Sequence, residues 1–179
     1  MPDAGFPNAH TTTTTITSNT RVQTNIRYDP KYIKTKGGIL KIVQIVLNLL
    51  GFICIQCSGF PGNSRGSFFD TVSMTGFWFT GILLLFYLFH VIEKLYKIPW
   101  LKIEFFYCFV MVCMYLICSC LAATFGVEGY AVAAFFGFCA MVAYGLDTFL
   151  KYKAIRSGEI AQGEREVQKQ TTTVTTPAY

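Results

Sequence analysis

Seven cysteines are the residues best suited to chemistry in this 179-residue chain. Cys54 and Cys57 form a Cys-x-x-Cys pair, the spacing at which one thiolate attacks a disulfide and its neighbour resolves the mixed disulfide. A membrane thiol oxidoreductase built on that pair would need a second pair in an outer connection to relay electrons. The remaining cysteines, Cys108, Cys113, Cys118, Cys120 and Cys139, supply none, since all fall inside apolar segments. Free cysteine is also a small apolar packing residue, and packing is the expected role here. Cys108 is in addition a candidate for palmitoylation. A metal site would want histidine at ligand spacing to the thiols. His10 and His90 do not provide it, so neither a metal nor a cofactor is expected.

The other chemically suggestive set is a polar stripe. Lys41, Gln44, Asn48 and Gly51 fall within an arc of about 80° when plotted at 100° per residue. Such a stripe can line the pore of a small channel or transporter. It can also be structural, with Lys41 snorkelling to the headgroups while Gln44 and Asn48 hydrogen-bond to neighbouring helices. The structural role is expected, because no other segment offers a matching charge at mid-depth. His90, Glu93 and Glu104 fall near segment ends, and Asp147 precedes Lys151 by one helical turn, the spacing of an ion pair.

The elements that must hold these residues follow from composition. Apolar residues make up 53% of the chain and charged residues 14%, against roughly 25% charged in a soluble domain. Four apolar stretches, at about residues 39–60, 72–96, 103–125 and 130–150, each approach the roughly 20 residues that cross a bilayer as a helix. Gly37-Gly38, Pro61-Gly62, Pro99 and Gly126 punctuate them. The expected fold is an all-α membrane protein, a four-transmembrane-helix bundle of M-shaped topology. Residues 35–153 form the transmembrane domain, and residues 1–34 and 154–179 form disordered tails rich in threonine. No apolar block precedes residue 30, so the first span is expected to act as an uncleaved targeting signal.

Basic residues orient the bundle. Arg21, Arg27, Lys31, Lys34, Lys36 and Lys41 precede or open the first span. Lys94, Lys97 and Lys102 lie in the second connection, and Lys151, Lys153, Arg156, Arg165 and Lys169 follow the fourth span. Only Arg65 falls on the other side, so the positive-inside rule places both termini in the cytosol. The outer connections, about residues 61–71 and 126–129, are too short for an ectodomain, carry no cysteine and lack any Asn-x-Ser/Thr acceptor. Small residues recur at helix-packing spacing in Gly76 with Thr80, Ser119 with Ala123, and Ala133 with Gly137. Together with Gln44, Asn48 and Gly51 they are the candidate helix-packing or partner face.

The run Gly37-Gly38-Ile39-Leu40-Lys41-Ile42-Val43-Gln44-Ile45-Val46-Leu47 resembles the opening of the first helix of the MARVEL family. Gly51-Phe52-Ile53-Cys54 extends the likeness, and Phe77-Trp78-Phe79 resembles that family's second helix. Over about residues 35–153 the chain looks most like the chemokine-like-factor-like (CMTM) branch, as an invertebrate member. The resemblance implies a non-enzymatic protein that organises or traffics membrane partners, at sites of membrane apposition or vesicle fusion. It implies residence in the plasma membrane or in endosomal or secretory vesicles. The partners expected are the lipid bilayer, other integral membrane proteins and a second copy of the chain, with no nucleic acid.

Overall fold

Backbone amides cannot be left unpaired in hydrocarbon, so long apolar stretches resolve into helices. The structure, a computed structural model, describes residues 11–21, 28, 30–95, 98–159, 161 and 164–174. Arg27 and Lys97, counted above, lie outside them. Four long helices dominate: α1 (Lys36–Gln56), α2 (Ser64–Leu88), α4 (Trp100–Ala123) and α5 (Glu128–Arg156), with a short α3 (Val91–Lys94) between the second and third. Each long helix is apolar and long enough to cross a membrane. α1 packs between α2 and α5, and α4 packs against the same two helices from the other side.

Local chemistry sets the helix limits, and these differ from the expected spans. Thr35 caps α1 by accepting a 3.1 Å hydrogen bond from the Gly38 amide. Asn63 caps α2 by accepting a 3.0 Å bond from the Arg65 amide, so α2 starts at Ser64, eight residues before the expected Val72. The polar run Ser64-Arg65-Gly66-Ser67 reads as a loop because its polar residues hide its function. Gly66 and Phe69 within this turn are buried against neighbouring helices, and Asp70 accepts a 2.7 Å bond from Gln56 Nε2 of α1. A side chain at Gly66 would run into the Tyr130 hydroxyl and approach the Pro61 carbonyl at 3.2 Å. At the other end α2 stops at Leu88 rather than near Tyr96. His90 there adopts a left-handed conformation, φ 54°, which breaks the helix and redirects the chain into α3. α4 begins three residues earlier than expected and α5 runs six residues further. Both extensions carry charged residues deeper into the bundle than the sequence suggested.

Within the expected tails, the structure describes a short turn and a two-stranded ribbon. Residues Pro30–Lys34 form a 3-10 turn. Strands β1 (Thr11–Arg21) and β2 (Glu164–Val174) pair antiparallel, with Thr11 opposite Val174 and Arg21 opposite Glu164. β-Branched threonine favours extended backbone, and a run of it reads as low complexity and as strand alike. This ribbon is a unit separate from the body formed by residues 23–162.

The body is inside-out relative to a soluble domain. Phe69, Tyr115, Tyr130 and Tyr144 fill its interior together with Ala133, Ala140 and a set of buried polar residues. Its outer surface carries Trp78, Phe106, Phe135 and Phe149, each more than 60% exposed. Close approach also fixes how the chain enters the bundle. At Gly38 any side chain would collide with the Tyr32 carbonyl and meet the Ile33 Cα at 3.0 Å. Gly38→Ala should therefore loosen the 3-10 turn from α1 and cost about 1–3 kcal/mol of stability. Gly81→Ala, where nothing lies within 4 Å, should be close to neutral. Thermal unfolding of the two variants in micelles checks the contrast. Equal melting temperatures for both would refute it.

Candidate functional site: a buried polar axis

Two layers of polar side chains occupy the interior of the bundle. The first lies toward the end where α1 begins and α5 finishes. Glu104 of α4 is fully buried, and its two carboxylate oxygens serve different partners. Oε1 lies 3.0 Å from Lys41 Nζ of α1. Oε2 pairs with Lys151 of α5 and accepts a 2.8 Å hydrogen bond from the Tyr87 hydroxyl of α2. Asp147 of α5 completes the layer, with Oδ2 3.7 Å from Lys41 Nζ and 3.2 Å from the donating Gln44 Nε2. The Cys108 thiol donates to the same oxygen at 3.6 Å. Two lysines thus face two carboxylates, and the layer is neutral.

Tyr87 bounds this layer on its outer side. Lys41 and Lys151 sit over its ring, 5.4 and 5.1 Å from the centroid, within cation–π range. Tyr32, from the turn before α1, stacks parallel on the same ring with centroids 4.6 Å apart. Burial pushes the Tyr32 phenol well above its ordinary range, so it covers the layer as a neutral group.

The second layer lies one to two turns deeper and holds no charge. Asn48 Nδ2 donates to the Tyr144 hydroxyl at 2.9 Å, and Asn48 Oδ1 accepts from the Tyr115 hydroxyl at 2.5 Å. Thr80 joins Tyr144 at 3.0 Å and Tyr107 at 3.1 Å, and Tyr115 also donates to Ser73 at 3.4 Å. Every long helix contributes at least one residue, α2 and α4 two each, so the layer sets the mutual rotation of all four. Gly76 makes room for it. A Cβ there would lie 2.7 Å from Asn48 Nδ2 and 3.0 Å from the Tyr144 hydroxyl.

The candidate residues separate on this frame. Gln44, Asn48, Gly51, Gly76, Thr80, Ser119, Ala133 and Gly137 are all buried inside the bundle, whereas Ala123 is exposed. Gly137 faces Ser119, and a side chain there would meet Phe69 at 3.0 Å. Apart from Ala123, these small residues pack inside this bundle. Ser119 does its packing toward α5, without Ala123.

Three further readings change. Lys41 does not snorkel, being 1% exposed and ion-paired. Asp147 turns to Lys41 and Gln44 while Lys151 turns to Glu104, so the expected pair within α5 gives way to pairs between helices. Matching charges for Lys41 do exist. They were missed because α4 starts at Trp100 and α5 ends at Arg156, which places Glu104 one turn and Asp147 more than two turns inside their helices. The signal available in the sequence was the cost of an intramembrane carboxylate, which demands a named partner. Cys108 is 1% exposed, which closes its thiol to acylation. Cys57 is exposed and Cys54 partly buried, and all seven thiols are free. No group of three metal-ligating side chains occurs among the described residues.

Polar groups turned to the axis of four long helices, with large apolar groups on the rim, define a polytopic α-helical membrane protein. Residues 32–150 match the MARVEL model, described as a membrane-associating domain, and the chain belongs to that family. It is 30% identical over 127 residues to mouse CKLF-like MARVEL transmembrane domain-containing protein 7, spanning 70% of this chain and 76% of that relative. It is 28% identical over 141 residues to human plasmolipin, spanning 73% and 78%. No solved structure matches. The matched region, residues 32–150, takes in both polar layers except Lys151.

Two outcomes test this geometry. Lys41→Met alone leaves Asp147 buried and uncompensated and should cost about 3–5 kcal/mol. Adding Asp147→Leu leaves the neutral Glu104–Lys151 pair and should recover part of that loss. Denaturant unfolding of the two variants reads the difference, and a double variant weaker than the single one would contradict the neutral layer. A membrane-permeant maleimide should label Cys57, beyond the end of α1, in the folded protein, whereas the buried Cys108 and Cys118 react only after unfolding. Mass spectrometry of the labelled peptides decides.

Proposed function

We propose that this protein is a non-enzymatic organiser of membrane partners, working by lateral contacts in the bilayer with both termini in the cytosol. The observation that carries the reading is the sorting of side chains. Each residue of the two interior layers makes at least one polar contact within the bundle, although Gln44 Oε1 and Asp147 Oδ1 are left without a hydrogen-bond partner, and the surface along the spans is apolar and aromatic. Lateral contact with lipid and with other membrane helices is the interaction such a surface supports.

Its relatives in the MARVEL family support a membrane role, and traffic through the plasma membrane or endosomal and secretory vesicles fits it. The partner face is assigned to outward residues such as Trp78, Phe106, Phe135 and Phe149, in place of the small-residue pairs. A channel lined by Gln44 and Asn48 fits less well, because Asn48 is bonded to Tyr115 and Tyr144 across the axis. Oxidoreduction at Cys54 and Cys57 lacks a second thiol pair nearby.

A photo-crosslinking residue placed at Trp78, Phe135 or Phe149 should capture defined integral membrane proteins in native membranes. Recovery of lipid alone from all of the outward positions would sink the proposal, as would a tail open to protease outside intact cells.

A further inference from the structure

The exposed charges of the body are unevenly placed. Lys34 precedes α1 and Lys36 opens it, Lys94 ends α3, Lys102 lies in the first turn of α4, and Lys153 and Arg156 lie in the last turn of α5. All six are exposed. They converge on the end of the bundle where Lys41, Glu104 and Lys151 meet. None of the six has an ion-pair partner among the described residues, although the two buried lysines do. Glu159 is exposed nearby, but its carboxylate accepts a 2.9 Å bond from Ser157. At the opposite end, Arg65 stands with Glu128 and Asp70, and no comparable excess arises.

Aromatic and aliphatic side chains of the same elements are exposed between these bases. Tyr28, Phe89, Leu95, Ile98 and Tyr152 all face outward, and Trp100 anchors the α3–α4 turn by donating from Nε1 to the Leu95 carbonyl at 3.1 Å. Apolar rings and basic heads in one layer belong at the level of lipid headgroups, where a ring enters the acyl region and an ammonium meets phosphate. Orientation during insertion requires only an excess of positive charge in the connections. It does not require bases from five separate elements to gather around the rim without an ion-pair partner among the described residues.

We propose that this basic collar is a binding site for anionic phospholipid headgroups of the leaflet that surrounds it. The ligand's phosphate and carboxylate groups supply the ion-pair partners that the six bases lack among the described residues, while its acyl chains lie along the outward aromatic residues. The site does not depend on how the bundle is oriented in the cell or on which proteins it organises.

The full chain carrying Trp78→Phe, so that Trp100 is the remaining tryptophan, tests this in vesicles of symmetric composition. Brominated phosphatidylserine should quench Trp100 more strongly than brominated phosphatidylcholine at equal mole fraction, and the excess should fall as salt rises. Neutralising Lys34, Lys36 and Lys102 together to Gln should remove most of the excess, at about fivefold in relative affinity per charge. The Lys→Arg counterpart should retain it. Helical circular dichroism, unchanged in both, verifies folding at these exposed positions. Inorganic phosphate should compete no better than chloride at the same ionic strength. Equal quenching by the two lipids would overturn the proposal, as would a neutralised variant that keeps the excess. Selective displacement by inorganic phosphate would also overturn it, by showing a site for the free anion.

Discussion

A carboxylate in hydrocarbon is tolerable only with its charge cancelled at short range. Glu104 meets that demand by drawing in Lys41 from α1, Lys151 from α5 and the Tyr87 hydroxyl from α2. Because it holds a residue from each of the other long helices, its position ties the four spans together at one level. Asp147 closes the charge balance, and the Tyr32–Tyr87 stack covers it. The second layer, around Asn48, does the corresponding work deeper in the bundle without charge. In hydrocarbon, apolar side chains gain little from leaving lipid for one another, so these polar contacts and the close approach at glycine are what specify one packing among many.

Much of this was legible in the sequence. The four spans follow from apolar length alone, and the stripe of Lys41, Gln44, Asn48 and Gly51 marked the inward face of α1. What was not legible was depth. Apolar length locates a span's middle, whereas its ends depend on caps and breaks such as Asn63 and His90. A shift of three residues at α4 moved Glu104 from an interfacial position to an interior one. The same misplacement made Lys41 look unpaired and therefore free to snorkel. Tyrosine is enriched at membrane interfaces, yet Tyr87, Tyr115, Tyr130 and Tyr144 are among the most buried of the described residues. A phenol supplies a large apolar body and one hydroxyl that bonds Asn, Thr or carboxylate partners, which suits a membrane interior.

Inward use of polarity has a consequence for function. Small residues at helix-packing spacing are a familiar mark of contact between membrane proteins, and here they are consumed within the chain. Gly76 gives space to Asn48 and Tyr144, and Gly137 gives space to Ser119 and Phe69. The surface remaining for other molecules divides into an apolar girdle and a basic rim. The girdle suits neighbouring helices and acyl chains, and the rim suits anionic groups. Both surfaces follow from the turning of the polar residues of the spans toward the axis.

Solid-state NMR of the protein in lipid bilayers tests the buried ion network most directly. With 15N at Lys41 Nζ and 13C at Glu104 Cδ, dipolar recoupling should detect a direct contact between ammonium and carboxylate, and no dephasing of that nitrogen by lipid 31P. A Lys41 ammonium that couples to headgroup phosphorus and not to Glu104 would contradict the account.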